Sequence, residues 1–106
     1  DSTILPELID LCRENGARLL LVNPPIRPSD QHDGNEASRL MQQSVELGAD
    51  VLDLRQVRLP EEAFATRHHL IPQYRRQMTA LLTGWIVQYG LAEPHDSTEA
   101  RLIQIR

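Results

Sequence analysis

A chain of 106 residues has room for one domain with a modest core. Its 41% apolar and 25% charged content is that of an ordinary globular chain, and a formal net charge of −4 argues against the basic surface that nucleic acids require. The single Cys12 excludes an internal disulfide and a Cys-based zinc site, and no apolar run reaches the ~18 residues that would cross a bilayer.

Residues 3–15 place Leu5, Leu8, Ile9 and Cys12 on one helical face, with Pro6 suited to a first turn and Gly16 as the stop. Cys12 then behaves as a small hydrophobe on the apolar side. No signal-peptide pattern opens the chain, and a start at Asp1 without Met reads as a processed or excised piece. "ARLLLVN", 17–23, is almost wholly apolar, the pattern of a strand covered on both faces. "PPIRPSDQHDGN" must be a loop. A second helix is expected from Glu36 to Leu47, N-capped by Asn35 and terminated by Gly48.

"DVLDL", 50–54, reads as a second short strand, and 55–69 as irregular. From Ile71 to Tyr89, the residues Tyr74, Met78, Leu81, Leu82, Trp85 and Tyr89 recur at helical spacing until Gly90. Trp85 and Tyr89 are thereby core residues. The chain divides into an α/β unit over 1–92 and a tail over 93–106 that carries a possible edge strand at 101–105.

The order α-β-α-β-α implies a parallel sheet with right-handed crossovers. Two or three strands flanked by three helices leave edges and faces uncovered. The fold class expected is therefore α/β, half of a doubly wound, flavodoxin-like sandwich. Missing residues or a partner chain would complete its sheet.

Ligands of open α/β sheets bind beyond the carboxyl ends of the strands, here Asn23–Pro24–Pro25 and Asp53–Leu54–Arg55. The loop carrying His68 and His69 reaches the same rim if the last helix runs antiparallel to the strands. A helix N-terminus disfavours imidazolium, which suits a neutral general base and equally an inert loop residue. Adjacent side chains do not converge on one target, so only one of the pair would act, and neighbouring histidines lack the i, i+4 spacing of a helical metal site. "SDQHDGNE", 29–36, fails as a calcium loop, because Ser29, Gln31 and Leu40 fall at ligand positions; it reads as a solvated loop. Asp53 reads as a structural turn or cap residue. Arg75 and Arg76 sit at an unfavourable dipole position, a mark either of an anionic partner or of a solvated face. No cofactor is implied.

Several segments taken together resemble the C-terminal half of an SGNH/GDSL-type hydrolase. They are "ELIDLCRENGARLLLVNPPIRPS", a helix from about Asn35, "ELGADVLDLR", and "FATRHHLIPQYRRQMTALL". The likeness covers roughly residues 4–88 and rests on element order and one degenerate motif, Asp-x-x-His-Leu-x-x-x-Gly at the entrance to the closing helix. His69–Leu70 matches its His-Leu, and Pro72 fits the connection that follows. The resemblance implies that His69 is the triad base, with His68 the alternate.

Three positions depart from the motif: Thr66 stands at the orienting Asp, Ile71 where Asn is frequent, and Tyr74 at the Gly. Thr accepts a hydrogen bond from imidazole without stabilising imidazolium by charge, and weakening the orienting acid costs orders of magnitude in a serine hydrolase. Glu61 or Glu62 substitutes for it, or a Ser–His dyad operates. Ser2, Ser29, Ser38, Ser44 and Ser97 lack a nucleophile context, so the nucleophile and oxyanion hole belong to the missing half. The activity implied is hydrolysis of an ester, such as an O-acyl group on a carbohydrate. The alternatives are a non-catalytic binding or assembly module with a decayed triad, and a flavodoxin-like interaction domain in which the histidines are loop residues.

Overall fold

The computed structural model describes residues 4–30, 35–67, 69–93 and 100–106. Three helices and three strands alternate: α1 (Ile4–Glu14), β1 (Leu20–Asn23), α2 (Asn35–Leu47), β2 (Asp50–Asp53), α3 (Pro72–Gln88) and β3 (Leu102–Gln104). The strands form one parallel sheet in the order β1-β2-β3, with Leu21 opposite Val51 and Leu52 opposite Ile103. The protein is therefore α/β with a three-stranded parallel sheet. The edge strand expected in the tail is β3, and Ile105 just beyond it joins the core.

The pleat sends alternate residues to opposite faces. Leu20, Leu52, Leu54, Ile103 and Ile105 meet Met78, Leu82, Trp85 and Tyr89 of α3 on one side. Leu21, Asn23 and Val51 face Ala37, Leu40 and Met41 of α2 on the other, and α1 packs beside α2. Helices thus cover both faces. The two connections step in the same direction across the sheet but pass over opposite faces, so they have opposite hands. The expectation of right-handed crossovers holds for one of them and is corrected for the other.

β2, flanked by strands and helices on every side, is buried throughout. β1 is not. The apolar run at 17–23 was expected to be covered on both faces, yet Val22 is 39% exposed and Leu20 and Leu21 are only half-buried. The physical reason is position: β1 is an edge strand, and α3 does not extend over Val22. Leu19 and Asn23 turn their carbonyls to β2, accepting from Asp50 and Leu54; by alternation Leu20 and Val22 direct their backbone groups away from the sheet.

Helix boundaries fall within two residues of expectation. Asn35 lies inside α2 rather than capping it, and the residue before it lies outside the described residues. Pro72 opens α3, where its missing N–H costs nothing. Leu81, expected on the buried stripe of α3, is 46% exposed, because Met78, Leu82 and Trp85 already fill the contact with the sheet. At the amino ends of the strands, Asp50 ties the structure together. It accepts Arg18 Nη2 at 2.6 Å and Nε at 3.0 Å on one oxygen and the Arg101 N–H at 3.1 Å on the other. Arg18 also donates to Gly90 O (3.1 Å) and Arg101 to Tyr89 O (2.6 Å), so two cations satisfy the last carbonyls of α3.

Candidate functional site

Because α3 ends beside Arg18 and Asp50 at the amino ends of the strands, its first turn lies at their carboxyl ends. The loop before it is a closed turn. Phe64 and Leu70 form an isolated antiparallel bridge, Ile71 N–H donates to Ala63 O (2.9 Å), and Ala65 and Thr66 N–H both donate to His69 O (2.7 and 3.3 Å). Phe64 and Ala63 are buried and anchor this turn, while Thr66 and His69 stand exposed at its tip. Thr66 Oγ1 lies 2.7 Å from His69 Nδ1. The residue three before the histidine therefore contacts the ring nitrogen that an orienting carboxylate would contact. His68 lies outside the described residues.

The loop after β1 reaches the same rim. Pro25 is buried, and Pro28–Asp30 form a short 3-10 turn closed by Asp30 N–H to Arg27 O (2.8 Å). Arg27 N–H donates to Arg67 O at 3.1 Å, which ties this loop to the histidine turn. Glu61, in a 3-10 turn over Glu61–Ala63, accepts Ser29 N–H at 3.1 Å and Ser29 Oγ–H at 2.9 Å. Arg27 Nε donates to Asp30 at 2.6 Å and lies 3.4 Å from Glu61. The Arg27 guanidinium is held above its ordinary range, chiefly by the hydrogen bond to Asp30, with the charges of Asp30 and Glu61 adding to it against partial desolvation. Glu61 was one of two acids considered for orienting the imidazole. It is engaged with Ser29 and Arg27 instead. Ser29, bonded to a carboxylate, is poorly placed for attack on anything else.

Asp53, at the rim, is engaged within the protein. It is 1% exposed and accepts the Arg55 N–H, Nε and Nη2, each at 3.0 Å, while Arg55 Nη2 also reaches Ser38 Oγ (3.0 Å) on α2. Arg75 and Arg76 are exposed in the first turn of α3. Among the described residues no group of three or more His, Cys, Asp or Glu is arranged to hold a metal; of the 29–36 cluster, residues 31–34 lie outside them. No helix among the described residues is long and apolar enough to cross a membrane.

The structure brings Thr66 and His69 into contact, and it adds an Arg27–Ser29–Glu61 link between the loops that sequence reasoning missed. Its partners are separated by 32 residues in the Ser29–Glu61 pair, and no periodicity relates them. No family model, curated protein or solved structure matches this chain.

Proposed function

We propose that this chain is the C-terminal half of an SGNH/GDSL-type hydrolase domain and that His69 is its general base. The observation that carries the reading is the 2.7 Å contact between Thr66 Oγ1 and His69 Nδ1 at the entrance to the closing helix. With Nδ1–H donated to Thr66, Nε2 keeps its lone pair and accepts a proton from a serine hydroxyl supplied by the rest of the protein. The serine oxygen then attacks an ester carbonyl, and the imidazolium returns the proton to the departing alcohol. An O-acyl group on a carbohydrate is the substrate class that the resemblance suggests.

The open edge of β1 and a groove of about 310 Å³ between β1 and α2, lined by Leu21, Val22, Leu40 and Met41, support an incomplete domain. Further strands of the sheet would pair along that edge.

One observation favours the non-catalytic module: the contact at Nδ1 is an uncharged hydroxyl, and Glu61 is engaged elsewhere. Labelling of the intact protein with a fluorophosphonate probe decides between them. We expect labelling that is abolished in His69→Ala and retained in His68→Ala; an unlabelled wild-type protein, or equal labelling in the His69 variant, sinks the hydrolase reading.

A further inference from the structure

The histidine turn is braced internally by the Phe64–Leu70 bridge and by the two N–H bonds to His69 O. Those bonds set the shape of the turn but not its placement on the rim. Placement needs contacts to another element, and the hydrogen bond from Arg27 N–H to Arg67 O supplies one from outside, two residues before His69. Its donor belongs to the 27–30 turn after β1, so this contact ties the tip of the histidine turn, whose base is anchored by buried Ala63 and Phe64, to the 27–30 turn. Besides its internal Arg27–Asp30 contacts, that turn is held from outside by Glu61, which receives both the backbone N–H and the hydroxyl of Ser29, with the Arg27 guanidinium beside its carboxylate.

We propose that Glu61 is the positioning residue of the site, fixing the loop after β1 so that it anchors the His69 turn. This rests on the reading of His69 as a base, but its mechanical part does not depend on any reaction. Glu61 stands two residues before the buried Ala63, which with Phe64 forms the base from which the histidine turn springs. One carboxylate therefore references both loops to the same point. Two charge-assisted hydrogen bonds to Ser29 give that reference direction as well as strength. The ion pair with Arg27 is half-exposed and is the weaker arm. With both loops fixed, the Thr66–His69 contact presents Nε2 in one orientation; with the link removed, Arg67 loses its outside support and the Thr66–His69 tip around it loosens.

The test is the histidine spectrum of the intact protein labelled with ¹⁵N-histidine, with His69 assigned by its loss in His69→Ala. In the wild type His69 shows a single dominant tautomer. In Glu61→Ala we expect that signature to be lost to averaging between tautomers, with the amide spectrum of α3 and β2 unchanged. Glu61→Asp, which keeps a carboxylate in reach of Ser29, restores it at least in part. Should Glu61→Ala fail to fold, Ser29→Ala decides, since it removes only the hydroxyl arm of an exposed side chain and is expected to weaken the signature. A His69 spectrum in a folded Glu61→Ala, or failing that in Ser29→Ala, that matches the wild type overturns the proposal. An ordered His69 in a wild-type protein that no fluorophosphonate labels would refute the hydrolase reading alone and leave the positioning role standing.

Discussion

The buried Arg18–Asp50 pair offers the most direct test of how the three strands and α3 are held. Asp50 is 3% exposed and accepts three hydrogen bonds, two from Arg18 and one from the Arg101 N–H. In Asp50→Ala the Arg18 guanidinium, itself 14% exposed, keeps only carbonyl partners, Gly90 O at 3.1 Å and Glu93 O at 3.5 Å. Removing one partner of a buried ion pair costs about 3–5 kcal/mol, because a charge is left desolvated without its counterion. The orphaned Arg101 N–H adds to the same loss. Partial access of water to Arg18 points to the lower end, about 3 kcal/mol, which is a large share of a total stability of about 5–15 kcal/mol.

The double variant Arg18→Met, Asp50→Ala removes both charges and replaces the cation by an apolar chain of similar length. It should be more stable than Asp50→Ala alone by at least about 1 kcal/mol. Urea denaturation followed by circular dichroism reads this directly. With a slope near 1.5 kcal/mol/M, a 3 kcal/mol loss moves the midpoint down by about 2 M. Strict additivity of the two single substitutions would refute the argument, since it would mean that the pair is solvated and contributes no coupling.

Four further outcomes follow from the same geometry. Thr66→Val removes the partner of His69 Nδ1, and ester hydrolysis by the intact protein should fall about 2- to 10-fold, the weight of one neutral hydrogen bond; Thr66→Asp should raise it, measured as kcat at neutral pH. Leu52→Ala empties a fully buried site between α3 and the sheet and should cost about 2–5 kcal/mol in the same urea assay. Gly48 has φ of +111°, and a Cβ there meets the Arg13 side chain, so Gly48→Ala should destabilise by more than about 1 kcal/mol. Adding Arg13→Ala should not rescue it, because the backbone conformation and not the mobile guanidinium sets the penalty. In the intact protein the Val22 amide should exchange slowly, as a paired strand requires; fast exchange there would argue against further strands on β1.

The elements legible in the sequence were those specified by local chemistry. Pro72 marks the first turn of α3, and Gly90, at φ +66°, its end, so that helix could be placed without knowing what it packs against. The two central apolar runs were legible as strands, but their surroundings were not. "LLLV" and "DVLDL" look alike, yet β2 is enclosed and β1 is an open edge. That difference lies in what stands beside each strand, which composition does not encode. The same distinction explains Leu81, whose helical spacing is right and whose exposure follows from how narrow a sheet α3 covers.

The site divides in the same way. His69 and Thr66 are three residues apart, and a turn that short brings their polar atoms together almost by construction, so the contact was readable as a spacing. Glu61 was noticed only as an acid near the histidine in sequence. Its actual partners come from the loop after β1, and which loops meet is decided by the parallel pairing that brings the carboxyl ends of β1 and β2 side by side. Nearness in sequence therefore relates His69 to Thr66, and sheet topology decides that Glu61 meets the loop after β1. In Glu61→Ala, neither the native Glu62 nor an acid introduced at position 65 should replace Glu61 in fixing the ring, read in the same histidine spectrum, because neither lies on the link to Ser29 and Arg27.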